Sequence, residues 1–418
     1  MNIQSNMAIY ALIAALSLMS REENCSAATL KTVYAFCSQE NCVDGEIPND
    51  LMFDAARNTI YGTTQYGGAS GQGTVFSLTR NKNGKWKHTL LHEFSCDIVC
   101  PGGWLPSGPL IQDTAGNLYG TTRGGGANGS GGSVFEMVRH GKSWTFQSLH
   151  DFCQQQQCMD GAAPAGLTYA GASGGAPYDG TSTLYGLNSY AGTHVAGTAF
   201  SLTPGGGGGW TYTNIYTFDG LSPTGVPTLD ANGNLYGRFS YDPNPRGAIF
   251  KLAYGGGQWD IAYYYEFTGG KDGSQPNGDL YVDASGNVFG VTLYGGNSLT
   301  YPSGTIFEVT GSTFQTIASF CLLKNCKDGS LPTGGLKPDA SGDLVAVVEQ
   351  GGKYGHGAVY KWTGAATELL YSFCRKDGCP DGDQPFGNVL FDLSGHMFGL
   401  TNNKAGGGSE GTVFELTP

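Results

Sequence analysis

Asn117-Leu118-Tyr119-Gly120-Thr121-Thr122, running on through Gly124-Gly125-Gly126 to Gly132-Ser133-Val134-Phe135, is the fullest copy of a phrase that returns along the whole chain. A second full copy runs from Ile60-Tyr61-Gly62-Thr63-Thr64 to Gly73-Thr74-Val75-Phe76. Five looser copies begin at Leu184-Tyr185-Gly186, Leu235-Tyr236-Gly237, Val288-Phe289-Gly290, Leu344-Val345-Ala346 and Met397-Phe398-Gly399. They lead to Phe200, Phe250, Phe307, Tyr360 and Phe414. A period of about 50 to 65 residues with no helical spacing inside it marks a radially repeated sheet.

Working outward from the phrase, each unit reads as four strands. A segment ending Leu-x-x-Phe (Leu91 to Phe94, Leu149 to Phe152, Leu370 to Phe373) alternates apolar and polar residues, as a half-buried strand does. After a loop comes a short inner strand around 106–111, then the turn Asp113-Thr114-Ala115-Gly116-Asn117, the Leu-Tyr-Gly strand, a glycine loop and the Val-Phe strand. The Asp-x-x-Gly-Asn turn lacks the alternating carboxylates and terminal Glu of a calcium loop, so it reads as a hairpin. The last unit stops at Thr412-Val413-Phe414-Glu415-Leu416, one strand short, while Leu30-Lys31-Thr32-Val33-Tyr34-Ala35-Phe36 is an extra copy of the missing strand. The expected fold is therefore all-β: one seven-bladed β-propeller over residues 28–418, closed by the N-terminal strand pairing in the last blade.

Composition agrees. Glycine, with 69 residues, supplies tight turns, and the 12% of aromatic residues is enough to fill layers between sheets, which excludes a disordered chain. A net charge of -12 argues against nucleic acid as partner. Residues 1–27, with an apolar stretch from Met7 to Met19 and small residues at Ser26 and Ala27, read as a secretory signal peptide, and nothing after it reads as a membrane span. Ten of eleven cysteines form local pairs, Cys37 with Cys42, Cys96 with Cys100, Cys153 with Cys158, Cys321 with Cys326 and Cys374 with Cys379, all at one place in the repeat. Disulfides in a secreted, periplasmic or cell-surface protein are the natural reading. Zinc is the alternative, but each repeat offers two thiols and histidines are scarce, so no metal and no cofactor are expected. Cys25 is expected to leave with the signal peptide.

The pattern Asp-Gly-x-x-Pro, Gly-Asn-Leu-Tyr-Gly-Thr-Thr, Gly-Gly, Gly-Thr-Val-Phe resembles the Gloeo/Verruco (GloVer) repeat of exported bacterial proteins, over nearly all of residues 30–418. The resemblance implies a scaffold and export; it brings no catalytic residues. Many members of that family end in a cell-surface sorting segment, and this sequence departs there by stopping at Pro418 directly after a strand, which puts anchoring through its carboxyl end in doubt.

Cysteine loops and glycine loops emerge on one rim, the default binding face. Departures from the repeat are informative, because the scaffold does not demand them. Arg238 stands where other copies have Thr63, Thr121, Val291, Val347 or Leu400, and the following loop reads Tyr241-Asp242-Pro243-Asn244-Pro245-Arg246. If that strand end faces the central channel, Arg238 offers a guanidinium able to grip a carboxylate. Asn188, Tyr190 and His194 in the third repeat and Tyr294 and Tyr301 in the fifth are its neighbours in the ring; the bland reading is that Arg238 pairs with an acid and His194 is solvated. Trp104, in a cysteine loop, is a candidate for stacking on a sugar, and His356 lies on the rim. The Asp-Gly aspartates (Asp44, Asp160, Asp272, Asp328, Asp381) read as turn residues. His92 and His150 are expected to face outward in a structural role, and the recurrent Trp86, Trp144, Trp210, Trp259 and Trp362 to pack.

There is no Gly-x-Ser-x-Gly elbow, His-Glu-x-x-His or phosphate loop. The expected function is a secreted, monomeric propeller that binds an extracellular glycan or protein through its rim. The alternative is a polysaccharide lyase on uronic-acid polymers, with Arg238 neutralising the carboxylate and His194 or Tyr241 as base.

Overall fold

In the computed structural model, residues 28–96, 100, 102–126, 129–190, 197–241, 244–298, 303–403, 408 and 410–417 are described. Each repeat folds as an antiparallel sheet whose strands pair in chain order; in the second blade these are Trp104–Gln112, Leu118–Gly124, Ser133–His140 and Ser143–Asp151. Seven such blades form the propeller. The seventh takes three strands from one end of the chain, Asp383–Phe391, Met397–Asn403 and Thr412–Thr417, and its outer strand, Thr29–Ala35, from the other. Thr29 lies opposite Thr417 and Ala35 opposite Thr412, the closure expected from the sequence. Residues 1–27, with the expected signal peptide and Cys25, lie outside the described residues.

The core is distributed around the ring as seven apolar clusters, each drawing on two adjacent blades. At every junction the phenylalanine ending an outer strand meets the aromatic of the next blade's third strand. Phe36–Phe76, Phe94–Phe135, Phe152–Phe200, Phe218–Phe250, Phe267–Phe307, Phe320–Tyr360 and Phe373–Phe414 have ring centroids 5.0–5.7 Å apart at steep angles, a favourable aromatic geometry. This explains the glycine of the repeated phrase. A Cβ on Gly62, Gly120, Gly186, Gly237, Gly290 or Gly399 would lie 2.3–2.6 Å from the ring tip of the cross-strand phenylalanine. The sixth blade shows the compensating pair. There Ala346 faces Tyr360, whose hydroxyl donates to the Lys327 carbonyl at 3.1 Å.

His92 and His150 do not face outward. Each turns into a blade junction, His92 stacked on Phe146 at 4.4 Å and His150 on Tyr212 at 4.2 Å, since the outer strands lean on one another there. Burial pulls the His92 imidazole down to about 4, so it is neutral at physiological pH. The tryptophans pack as expected, Trp86 on Phe398, Trp144 on Tyr61 and Trp210 on Tyr119 of the preceding blade.

Five disulfides join the five expected cysteine pairs, with Cα atoms 4.0–4.4 Å apart. They are consistent with an oxidising extracellular or periplasmic space. Among the described residues no helix is long and apolar enough to cross a membrane.

Candidate functional site

Pairing of Glu46 with Tyr66 and of Thr74 with Glu93 puts the start of an inner strand, the end of the second, the start of the third and the end of the outer strand at one level. The cysteine loops and glycine loops therefore share a rim. Four of the five stapled loops are held from within by an Asp-Gly aspartate. Asp44 accepts from the Ser38 and Gln39 amides and the Tyr34 hydroxyl, Asp328 from the Leu322 and Leu323 amides, and Asp381 from the Cys374 amide and the Tyr371 hydroxyl. Burial pushes the Asp44 carboxyl up, but hydrogen bonds from Tyr34, Ser38 and Gln39 outweigh it and hold the group below the usual range. These aspartates are structural, as their turn dipeptide suggested, and the loop side chains are left to face outward.

Several large apolar side chains stay exposed on this rim: Tyr66, Met159, Tyr190, Tyr241, Leu322, Leu323 and Tyr354. Among the described residues, Tyr190 at 57% and Tyr241 at 62% are the most open of its tyrosines. Trp104 is half-buried, its ring laid against Gly124 and Gly125, which leaves part of the indole at the surface. Arg246 is exposed and lies across Gly269 of the next blade. His356 is exposed, with Nδ1 3.2 Å from Asp383 Oδ2. His194 and Tyr301 lie outside the described residues.

Asn188 belongs to the scaffold. Its Nδ2 donates to Thr198 Oγ1 at 2.9 Å, in the position where other blades link Thr64 to Thr74, Thr122 to Ser133, Thr292 to Thr305 and Thr401 to Thr412. Arg238 takes a different direction from its loop neighbour Tyr241. It is buried against Gly225, donates from Nη1 to the Gly278 carbonyl of the next blade, and leaves Nε without a hydrogen-bond partner. Burial lowers its pKa, and the carboxylate of Asp279 opposes that shift.

Arg238 thus points toward a polar cluster on the propeller axis that the motif reading did not find. The inner strand of the sixth blade is broken between Ser330–Pro332 and Lys337–Pro338, and the gap is filled from other blades. Asn388 of blade seven accepts from the Gly335 amide at 3.0 Å, and its Nδ2 donates to Asp279 of blade five at 2.8 Å and to Asp50 of blade one at 3.2 Å. Gly335 must be glycine, because a Cβ would meet Asn388 Oδ1 at 2.6 Å. Burial, and then the neighbouring Asp279, push the Asp50 carboxyl up to about 6, against smaller opposing effects from Asn388 and Lys337. A guanidinium, an ammonium and two partly buried carboxylates so gather near the axis, and one amide bridges the two carboxylates. The signal was present as a departure from pattern: Pro48-Asn49-Asp50, Pro276-Asn277-Gly278-Asp279 and Pro385-Phe386-Gly387-Asn388 carry polar residues where Pro164-Ala165-Gly166-Leu167 carries none.

Two further groups hold metal-ligating types. His356 lies beside Cys374 and Cys379, whose sulfurs are joined in a disulfide. Asp392, His396 and Glu415 lie together on the opposite face, where His396 replaces the turn asparagine and Arg80 stands 3.5 Å from Glu415. In the first group the disulfide removes both thiolates; in the second His396 Nδ1 lies 3.2 Å from Asp392 and 3.3 Å from Glu415.

The chain carries the Gloeobacter/Verrucomicrobia repeat, whose family model matches residues 24–183. No curated protein matches the sequence. Among solved structures, a luciferin-regenerating enzyme is 12% identical over 94% of this chain and 95% of its own, with a TM-score of 0.44. PorZ, a surface component of the type-IX secretion system of Porphyromonas gingivalis, is 11% identical over 88% of this chain and 46% of its own, with a TM-score of 0.49. A polysaccharide lyase, an ulvan lyase, is 12% identical over 78% of each chain, with a TM-score of 0.44. Likeness at this level says nothing about activity.

Proposed function

We propose that this protein is an exported propeller that binds an extracellular glycan or protein through its loop-rich rim. The observation that carries the reading is the set of exposed tyrosines at the ends of second strands and on glycine loops, Tyr66, Tyr190, Tyr241 and Tyr354, gathered on one rim, whereas the exposed Tyr254 and Tyr263 lie on the two outer strands of the fourth blade. A tyrosine ring covers the apolar face of a sugar while its hydroxyl stays hydrated, and the loops beneath are too well braced to fold over it. The lyase reading asks Arg238 to meet a substrate carboxylate, but its guanidinium is enclosed and already engaged with Gly278, which favours binding over catalysis.

The test is a glycan array followed by titration calorimetry on the best ligand, with Tyr190→Ala and Tyr241→Ala variants. Each substitution is expected to weaken binding about tenfold, the loss typical of one aromatic contact. Full affinity in the double variant would refute the rim assignment. Parallel incubation with uronic-acid polymers, followed by ultraviolet absorbance of unsaturated products, is expected to show no turnover.

A further inference from the structure

The five disulfides sit on one recurring loop, and they differ in what stands beside them. At six blade junctions the residue just before the glycine that opens the third strand is fixed in the same way. The carbonyls of Gln72, Gly131, Arg246, Ser303, His356 and Glu410 each accept from the amide of the second residue of the next blade's inner strand, at 2.6–3.0 Å. This position looks across at the next blade's staple. A Cβ on Gly131 would fall 2.6 Å from the Cβ of Cys153. The occupant is Glu410 at Cys37–Cys42, Gln72 at Cys96–Cys100, Gly131 at Cys153–Cys158, Ser303 at Cys321–Cys326 and His356 at Cys374–Cys379. One staple of the five has an imidazole there.

His356 meets its staple closely and in a fixed orientation. A ring nitrogen lies within 4.8 Å of both sulfurs, Nδ1 is 3.2 Å from Asp383 Oδ2, and Asn403 holds Asp383 in turn, so two side chains of the seventh blade orient the imidazole. Its backbone is braced as well. The Gln384 amide donates to its carbonyl at 3.0 Å, and the Gly357 amide donates to the Gly351 carbonyl at 2.9 Å. Both cysteines of this staple are partly exposed, whereas Cys100 and Cys321 are buried in theirs. The loop's own charges are of both signs: Arg375, Lys376 and Asp377 are exposed, and Asp381 is turned onto the Cys374 amide as Asp44, Asp160 and Asp328 are turned onto amides of theirs. The imidazole is what sets this staple apart.

We propose that Cys374–Cys379 is a thiol–disulfide exchange site that reacts with a dithiol reductant, a Cys-x-x-Cys protein being the partner class it fits, while the other four staples are structural. The attacking thiolate bonds to Cys379 Sγ, which lies between the exposed Gly378 and Pro380. The S–S bond breaks and its electron pair leaves on Cys374 Sγ, where His356 holds and then protonates the thiolate. Cys374 is the inner sulfur, since it follows the fully buried Phe373. The reductant's second thiol then attacks the mixed disulfide and releases Cys379. The reductant departs oxidised to its own disulfide, and its two protons end on Cys374 and Cys379. An imidazole beside a sulfur can supply a proton or hold a thiolate; amide, hydroxyl and hydrogen carry no charge to do so, and a carboxylate, as at Glu410, disfavours one. The proposal is independent of the tyrosine-based reading of the rim.

A leaving thiol stabilised by about two pK units departs roughly tenfold faster at a Brønsted coefficient of about 0.5. The test exposes the native full chain to limiting dithiothreitol at neutral pH, quenches samples over time with iodoacetamide and maps the alkylated cysteines by peptide mass spectrometry. Cys374 and Cys379 should be alkylated about tenfold faster than any other pair. In His356→Gln that advantage should disappear while the other four rates stay as in wild type, with circular dichroism showing the variant folded. Equal rates for the five pairs in wild type overturn the proposal, as does another pair opening first. A folded His356→Gln variant whose Cys374–Cys379 opens as fast as in wild type also overturns it, and would assign the lability to exposure alone.

Discussion

Replacing Asp50 with asparagine tests the polar cluster on the axis. Folding raises the proton affinity of this carboxyl, through burial and through Asp279, to about 6 from an ordinary value near 4. A raised carboxylate pKa means that the folded state binds the proton more tightly than the unfolded one. The associated stability is fully present below about pH 4 and is lost as pH rises through about 6. Two pK units correspond to at most about 3 kcal/mol, or about 3 to 4 °C of midpoint in a chain this long. The side-chain amide introduced by Asp50→Asn can still accept from Asn388 but cannot ionise. The difference in midpoint between Asp50→Asn and wild type should be close to zero at pH 4 and favour the variant at pH 7.5, growing across pH 4 to 6. Thermal unfolding followed by circular dichroism across pH 4 to 8 measures it. A difference that is flat with pH, or that favours wild type at pH 7.5, would refute the claim that Asp50 is held out of water beside a second carboxylate.

Two further outcomes test the ring itself. Phe36→Ala removes the fully buried ring that locks the N-terminal strand to Phe76, and should cost about 3 to 5 kcal/mol and open the seventh blade to protease before any other, as read by limited proteolysis and mass spectrometry. Gly120→Ala forces a Cβ against Phe135 and should cost about 1 to 3 kcal/mol in denaturant unfolding, with Gly120→Ala/Phe135→Leu recovering part of it.

Much of this architecture was legible because the repeat states it seven times. The Gly-to-Phe spacing reports a cross-strand contact, and the orphan strand at Leu30 to Phe36 has its complement in the unit ending at Leu416. His92 and His150 were misplaced because alternation tells which side chains share a face, not whether a neighbouring sheet covers that face. The axial cluster was harder still. Asp50 and Asn388 are 338 positions apart, and each alone looks like a turn residue beside a proline. Asn388 also reaches Asp279 of the fifth blade past the broken inner strand of the sixth, which the short run Pro332-Thr333-Gly334-Gly335-Leu336 does not announce. Arg238 was visible as an exception to the repeat, but its depth, and so its partner, was set by Gly225 and Gly278 on strands the pattern leaves almost featureless.

The pairing of 29–35 with 412–417 also sets an order of events for the newly made chain. The earliest strand to emerge has no partner until nearly everything else exists, so the first six blades can assemble locally while their ring still gapes. Joining segments so remote incurs a loop-closure entropy that short-range hairpins avoid, though it grows only slowly with length. The last step is therefore a slow, concerted one, and until it happens an unpaired strand at one extremity and an uncovered sheet edge at the other stay open to the wrong neighbour, another copy of the same chain included.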